Sequence, residues 1–323
     1  MVRIKYRRYR PGDEHAVIKF FEECGYHPDE AFWRWINKGC PHGETIVEIA
    51  INGEQVIGHY SVLPRLVSVG GKTVGAGLAI HAAVHPQFRG LVILSELLDR
   101  IFKRCREAKI PFIYAFPNNN IWLVYLKLFR WQQVGDLPAL ELPLCNFRAE
   151  HSDSPHILVH DGVCFNERVG EFGSADWLYE KTFVVKDRAY LNWRYVHHPR
   201  VRYHLVEAKK DGCGLTGYLV LKLFEKHGVK YGHIVDLNCV PSSLALFAPM
   251  VYKAISWFCI QGVSVASCWM LKGTPFYEVL LQIGFQPTGF LTHMGYRVID
   301  PDFPVERLHV GRWHTVMGDS DAF

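Results

Sequence analysis

Ala83-Val84-His85-Pro86-Gln87-Phe88-Arg89-Gly90-Leu91-Val92 joins a strand to a helix through a short loop that ends in glycine. Upstream, residues 73–84 read as a strand. Downstream, Leu91–Ala108 reads as a helix with Ile93, Leu97, Leu98 and Ile101 on one face. A glycine in such a loop lets backbone N–H groups approach a ligand closely, and the helix that follows turns its positive dipole end toward it. That is anion-binding chemistry, suited to a pyrophosphate.

Working outward, the chain opens with a strand at about 3–9. Arg10-Pro11-Gly12-Asp13 follows, where Asp13 is expected to cap a helix carrying Ala16, Val17, Phe20 and Phe21 on one face. A second helix is predicted around Glu30–Asn37. Thr45–Ile51 and Val56–Leu63 form a hairpin through Asn52-Gly53, read as a type I′ turn. A second turn, Gly70-Gly71-Lys72, leads into the strand before the loop. After the long helix come the apolar strand Ile110–Phe116, a helix near 120–129 and a further strand. The element order is βααβββαβα, then strand.

The same landmarks return in the second half of the chain. Trp33-Arg34-Trp35 with Pro41 answers Trp193-Arg194-Tyr195 with Pro199, and Gly58-His59-Tyr60 answers Gly217-Tyr218. Val84-His85-Pro86 answers Val240-Pro241, and Phe129-Arg130-Trp131 answers Ile283-Gly284-Phe285. The offsets are 160, 159, 156 and 154 residues, a slow drift that indicates duplication. The expected fold class is α/β (α+β), with a mixed, mainly antiparallel sheet flanked by helices in each half. The expected domains are 1–150 and 151–323, with the boundary in the polar stretch near 145–170. The recurrence of Trp33-Arg34 and Trp193-Arg194 predicts an aromatic-guanidinium stack at equivalent positions.

Composition narrows the function. At 323 residues, with 49% hydrophobic, 21% charged and 14% aromatic residues, the chain suits two globular domains. The net charge of +4 is spread over 36 scattered basic residues, which does not imply nucleic acid. Nine cysteines without a CxxC pair suggest neither a disulfide framework nor a zinc site, and a reducing cytoplasm fits them. Cys40-Pro41-His42 and His197-His198 lack nearby partners for a metal, so no metal is expected. No apolar leader or membrane-length run is read, and neither a Ser-His-Asp pattern nor a phosphate-binding Walker loop is present.

The loop resembles the acyl-CoA loop of the GNAT superfamily of N-acyltransferases, whose pattern is Gln/Arg-x-x-Gly-x-Gly/Ala. Gln87 and Gly90 fit it, and Val92 stands where the family prefers Gly or Ala. A wider likeness extends to tandem GNAT-like proteins associated with polysaccharide biosynthesis. It runs through Trp33-Arg34-Trp35, Phe116-Pro117-Asn118-Asn119-Asn120, Leu191-Asn192-Trp193-Arg194-Tyr195 and Met317-Gly318-Asp319-Ser320-Asp321. The resemblance implies two tandem GNAT-like domains and acetyl-CoA as cosubstrate. It places Val84, Gln87, Phe88, Arg89, Gly90, Leu91 and Val92 at the cosubstrate. The second-half loop, Pro241-Ser242-Ser243-Leu244-Ala245-Leu246, has no glycine and offers a Ser cap instead. That half is expected to shape the acceptor site.

Direct attack of an amine on a thioester requires a base for the ammonium and an acid for the thiolate. His81, four residues before His85, is the candidate base, with a core histidine as the other reading. Tyr125, seven residues after Asn118, has the spacing of the family's acid, while counting back from Arg130-Trp131 selects Leu126. Asn118 and Asn120 follow a strand end and can bond a pantetheine amide or a sugar hydroxyl; a turn with Asn120 as helix cap is the alternative. Asp319 and Asp321 are candidate substrate-binding residues for a cationic amine. The resulting expectation is a cytoplasmic N-acetyltransferase acting on a small-molecule primary amine, with an amino sugar preferred from the family's setting. The alternatives are an aminoacyl-tRNA or acyl-carrier protein donor, or a non-catalytic ligand-binding module.

Overall fold

The computed structural model describes residues 4–145, 147, 156–161, 165, 181–210, 214–309 and 311–322. Elements in chain order are β1 (Lys5–Arg8), α1 (Glu14–Glu23), α2 (Glu30–Lys38), β2 (Ile46–Asn52), β3 (Gln55–Val69), β4 (Lys72–Val84), α3 (Leu91–Glu107), β5 (Phe112–Ala115), α4 (Asn119–Leu128) and β6 (Gln132–Pro143). The second half comprises β7 (Ile157–Asp161), β8 (Thr182–Val184), α5 (Arg188–Leu191), β9 (Tyr203–Lys210), β10 (Gly214–Lys226), β11 (Val229–Cys239), α6 (Phe247–Ile260), β12 (Val265–Trp269), α7 (Pro275–Ile283) and β13 (Gln286–Val298). The architecture is mixed α/β, with mostly antiparallel pairing and helices flanking the strands.

Two compact units form. The first contains residues 1–67, 74–133 and 295–306; the second contains 68–73, 134–294 and 307–323. In the first unit β1 pairs with β2 and β2 with β3, both antiparallel, and β4 runs parallel to β5. In the second, β7, β9, β10 and β11 pair antiparallel in that order, and β11 runs parallel to β12. The closing strand of each repeat is exchanged. β6, which follows the first repeat's last helix, lies antiparallel to β12 in the second unit. The end of β13 pairs with β5 in the first, setting Gly295 opposite Ala115 and Val298 opposite Phe112. The units therefore do not follow a division at 150/151. Of the stretch 145–170 expected to hold the boundary, residues 146, 148–155, 162–164 and 166–170 lie outside the described residues.

Each unit buries its own core. In the first, Ile93, Leu97, Leu98 and Ile101 of α3 pack with Tyr60, Val62, Ile113 and Trp131, while Val17, Phe20 and Phe21 of α1 pack with Trp33 and Ile49. In the second, Phe247, Met250, Ala254 and Phe258 of α6 pack with Leu219, Leu237 and Ala266. The glycine landmark shared by the repeats has one cause. A Cβ at Gly58 would come within 2.9 Å of Ile93, and one at Gly217 within 2.8 Å of Met250, so each glycine admits the helix that crosses its strand.

Three local readings are corrected. Asp13 occupies the N-cap position of α1 but makes no side-chain cap bond. Its carboxylate is held instead by Arg7 at 2.6 and 2.8 Å, a stronger charged partner than a backbone amide. In the first hairpin Asn52 pairs with Gln55, so the turn residues are Gly53-Glu54, one step later than expected, and Gly53 carries the positive φ of 62°. The symmetrical arginine stack does not form. Arg34 points to solvent and pairs with Glu30. Arg194 is buried over the rings of Tyr195 and Tyr203 and donates to the Tyr203 hydroxyl and the Ser320 carbonyl.

Candidate acyl-CoA site

The site belongs to the first unit and begins where β4 and β5 part. Their parallel register pairs Gly77 with Ile113 and Leu78 with Tyr114. β4 then continues to Val84, whereas β5 stops at Ala115. Beyond Val84 the chain is fastened: the His85 N–H donates to Ile57 O at 2.9 Å, Phe88 N–H to His85 O at 2.8 Å, and Gln87 N–H to His85 Nδ1 at 3.2 Å. Nδ1 accepts there, and Nε2 lies 3.4 Å from the Glu23 carboxylate.

Pro86–Phe88 form one 3₁₀ turn, and α3 starts after Gly90. Gly90 is fully extended, with φ 166°, and a Cβ placed there meets nothing within 4 Å. The fold does not require glycine at this position. What the glycine provides is open space beside the first turn of a 17-residue helix whose N-terminus has no side-chain cap. Free amide donors and the positive end of the helix dipole therefore face the loop, which suits the diphosphate of CoA. Gln87, Arg89, Leu91 and Val92 are exposed, Phe88 and Val84 partly so, and Val92 keeps 78% of its surface.

His81 lies on β4 between the last paired residue and the loop. It has a positive φ of 52°, so the strand is locally distorted. Its ring packs among Phe21, Tyr26, Phe32 and His59 at centroid distances of 5.5 to 6.5 Å. Desolvation pushes its pKa down to about 4, so it is neutral at pH 7. His59, fully buried on β3, donates from Nδ1 to the His81 carbonyl at 2.9 Å, and burial pushes its pKa down to about 3. Ser61, two residues along the same strand, donates to the Ile80 carbonyl at 3.0 Å.

The other predicted residues are placed differently. Tyr125 is buried in the α3 core, stacked on Trp131 at 4.6 Å, with its hydroxyl 2.9 Å from that of Tyr60. Asn118 caps α4 through Oδ1, accepting from the N–H groups of Asn120 and Ile121, so the cap falls two residues before the expected Asn120. Asn120 is exposed.

Asp319 and Asp321 belong to the second unit and differ in surroundings. Asp321 is exposed, whereas Asp319 is 1% exposed and 3.2 Å from Lys186 Nζ. Lys186 also pairs with Asp236 at 2.6 Å, and Asp236 accepts from the Tyr195 hydroxyl at 2.6 Å. Burial works against the Lys186 charge, but the two carboxylates outweigh it and hold the ammonium. Burial together with Asp319 pushes the Asp236 pKa up. Of this cluster only Asp319 was predicted, although Asp236 within Ile234-Val235-Asp236-Leu237 was a signal: a carboxylate in an apolar strand needs a partner.

A charged cleft of about 540 Å³ in the first unit is lined by Arg8, Tyr9, Lys38, Glu44, Arg104 and Glu107. It lies at the start of β2 and the end of α3, the opposite end of both from the loop. Its charges are matched internally through Arg8–Glu107, Arg104–Glu107 and Lys38–Glu44 pairs.

Known structures share this fold. A conserved protein from Enterococcus faecalis V583, described as a probable N-acyltransferase, superposes with TM-score 0.73 at 11% identity over 93% of this chain and 73% of its own. A tandem GNAT protein from the clavulanic acid biosynthesis pathway gives 0.64 at 12% identity over 93% of this chain and 100% of its own. Saccharomyces cerevisiae N-myristoyltransferase with bound myristoyl-CoA gives 0.61 at 11% identity over 91% and 78%. No curated protein sequence matches the chain significantly. Residues 5–125, which contain the β4–α3 loop, match the acetyltransferase (GNAT) domain family, and the whole chain has a GNAT-like fold.

Proposed function

We propose that the protein is an acyl-CoA-dependent N-acyltransferase that moves an acetyl group from acetyl-CoA to the primary amine of a small molecule. The observation that carries this reading is the open, uncapped start of α3 beside Gly90, at the end of the strand that has left β5. Gln87–Val92 hold the diphosphate, and the exposed Asn120 side chain is available to pantetheine. Asn118 contributes by fixing the start of α4.

In the reaction the amine nitrogen attacks the thioester carbonyl carbon, a C–N bond forms and the C–S bond breaks. The nitrogen gives up two protons, one from the ammonium before attack and one after the C–N bond has formed; the second balances the proton taken up by the departing thiolate. His81 is our candidate for the first transfer. Neutral at pH 7 and partly exposed, it accepts the proton in passing and releases it to water. The released thiolate, of pKa about 8.5, can take its proton from water. Tyr125, paired with Tyr60 inside the core, is then a packing residue.

We place the acceptor among amino sugars and the protein in the cytoplasm, in a polysaccharide-building setting. The resemblance of motifs spread along the chain supports that choice. Among the described residues no helix is long and apolar enough to cross a membrane. We assign the second unit an acceptor-shaping part, because its equivalent loop lacks a glycine.

A thermal-shift titration tests the reading. Acetyl-CoA or CoA at about 100 times Kd stabilises the protein by about 2.7 kcal/mol, a rise of several degrees in Tm. Gly90→Glu, which the fold accommodates, abolishes that rise without lowering the unliganded Tm. No shift in the parent protein overturns the acyl-CoA reading and favours a different donor or a non-catalytic module.

A further inference from the structure

The distortion at His81 is held by two side chains of the neighbouring strand. In a regular strand successive carbonyls point to opposite sides. Here two successive carbonyls of β4, those of Ile80 and His81, both accept bonds from β3, through Ser61 Oγ at 3.0 Å and His59 Nδ1 at 2.9 Å. The positive φ of His81 makes this possible. A trans peptide is planar, with its N–H opposed to its C=O. Turning both carbonyls toward the Ser61 and His59 side chains therefore turns the N–H groups of His81 and Ala82 away from those side chains, on the stretch of β4 beyond its last pair with β5. Both donors are fully buried, as expected of a fixed support.

We propose that His59 and Ser61 are positioning residues: together they clamp the β4 backbone so that the N–H groups of His81 and Ala82 converge on the thioester carbonyl oxygen. This rests on the acyl-CoA reading of the site. The second half supplies an internal contrast. The counterparts of His59 and Ser61 at the repeat offset are Tyr218 and Val220, and Val220 has no donor. No residue of β11 has a positive φ, and the loop after β11 has no glycine. The clamp and the glycine loop occur in the same half.

The chemistry of His59 supplies clean variants. Its Nδ1 must carry the proton because it faces a carbonyl, and its buried Nε2 has no partner. Phe keeps the ring packing against Phe21 while removing the useful donor and the orphaned nitrogen. Asn keeps a donor at the δ position. Ser61→Ala removes the second bond with little change of volume.

The experiment measures the bound carbonyl directly, by isotope-edited infrared spectroscopy of [1-¹³C]acetyl-CoA, alongside calorimetric affinity and thiol release as acetyl-CoA is hydrolysed by water. In the parent protein and His59→Asn the carbonyl stretch falls below its value in free acetyl-CoA. In His59→Phe and Ser61→Ala it returns toward the free value. Turnover in those two drops by about 10²-fold, as expected for loss of an oxyanion donor, with affinity within about twofold of the parent. A stretch that stays lowered in both donor-deleted variants overturns the clamp while leaving the acyl-CoA reading intact. No binding of acetyl-CoA by the parent overturns both. Failure of both donor-deleted variants to fold makes the pair structural and overturns the proposal.

Discussion

The two repeats share their strands, crossing helices and glycine landmarks, yet they treat the same place in opposite ways. In the first unit β4 parts from β5, its distorted segment is held by His59 and Ser61, and the space beside Gly90 is open. In the second unit β11 also runs beyond its parallel pairs with β12. There the chain itself packs against it. Gly318 lies against the Val235 carbonyl and the Tyr195 hydroxyl, and Lys186, Asp236 and Asp319 close a buried charge cluster. One architecture can thus leave this place open, as beside Gly90, or pack its own chain against it, as at Gly318. Side chains at a few equivalent positions separate the two outcomes.

Breaking the strand exchange tests the comparison most severely. A fragment of residues 1–150 lacks Gly295–Val298 on β5, together with the buried Tyr296 and Ile299. It is expected not to reach a cooperative fold by circular dichroism, and fusing residues 295–306 through a flexible linker is expected to restore one.

The next effect is the response of the first unit to acid. The folded-state pKa of His59, about 3, lies below the unfolded value of 6.5. The unfolded chain therefore binds the proton more readily. The contribution is complete above pH 6.5 and is lost as pH falls toward 3, with an upper limit of about 5 kcal/mol. Urea titrations at pH 7 and pH 5 should show the parent losing more stability than His59→Phe.

In the second unit, Lys186→Met leaves two buried carboxylates without their cation. It should cost about 3–5 kcal/mol, measured by urea unfolding, while acetyl-CoA still shifts the remaining folded protein. The smallest change is expected from Val92→Ala. Val92 is 78% exposed, so stability should move by less than about 0.5 kcal/mol. If Val92 limits approach to the diphosphate, CoA affinity measured by calorimetry rises a few-fold.

Much of the fold was legible in the chain. Periodicity and turn residues located α1 through α4 to within a few residues, apart from β3, which runs past the expected Leu63 to Val69, because each element carries its own apolar face and its own punctuation. The misreadings came where a distant partner competed with a local one. Asp13 reads as a cap until Arg7 takes its carboxylate. Trp33-Arg34 and Trp193-Arg194 are nearly identical locally, but only Arg194 finds buried acceptors. The spacing of Tyr125 from Asn118, in turn, says nothing of the ring's surroundings, which are Trp131 and the Tyr60 hydroxyl.

The loop of the opening stretch was readable because its chemistry is local: a strand end, a glycine and a helix start lie within ten residues. By itself the sequence indicated the secondary structure of the first half, the duplication and the half that carries the candidate anion-binding loop. Tertiary structure decided which strand completes which unit, since β6 and β13 close equivalent repeats and backbone pairing does not name its partner. It also joined His59 and Ser61 to His81 and Ile80, about twenty residues apart in sequence and held together by antiparallel pairing. In the second unit it enclosed Asp319, since a buried carboxylate persists only where a cation such as Lys186 is brought to it.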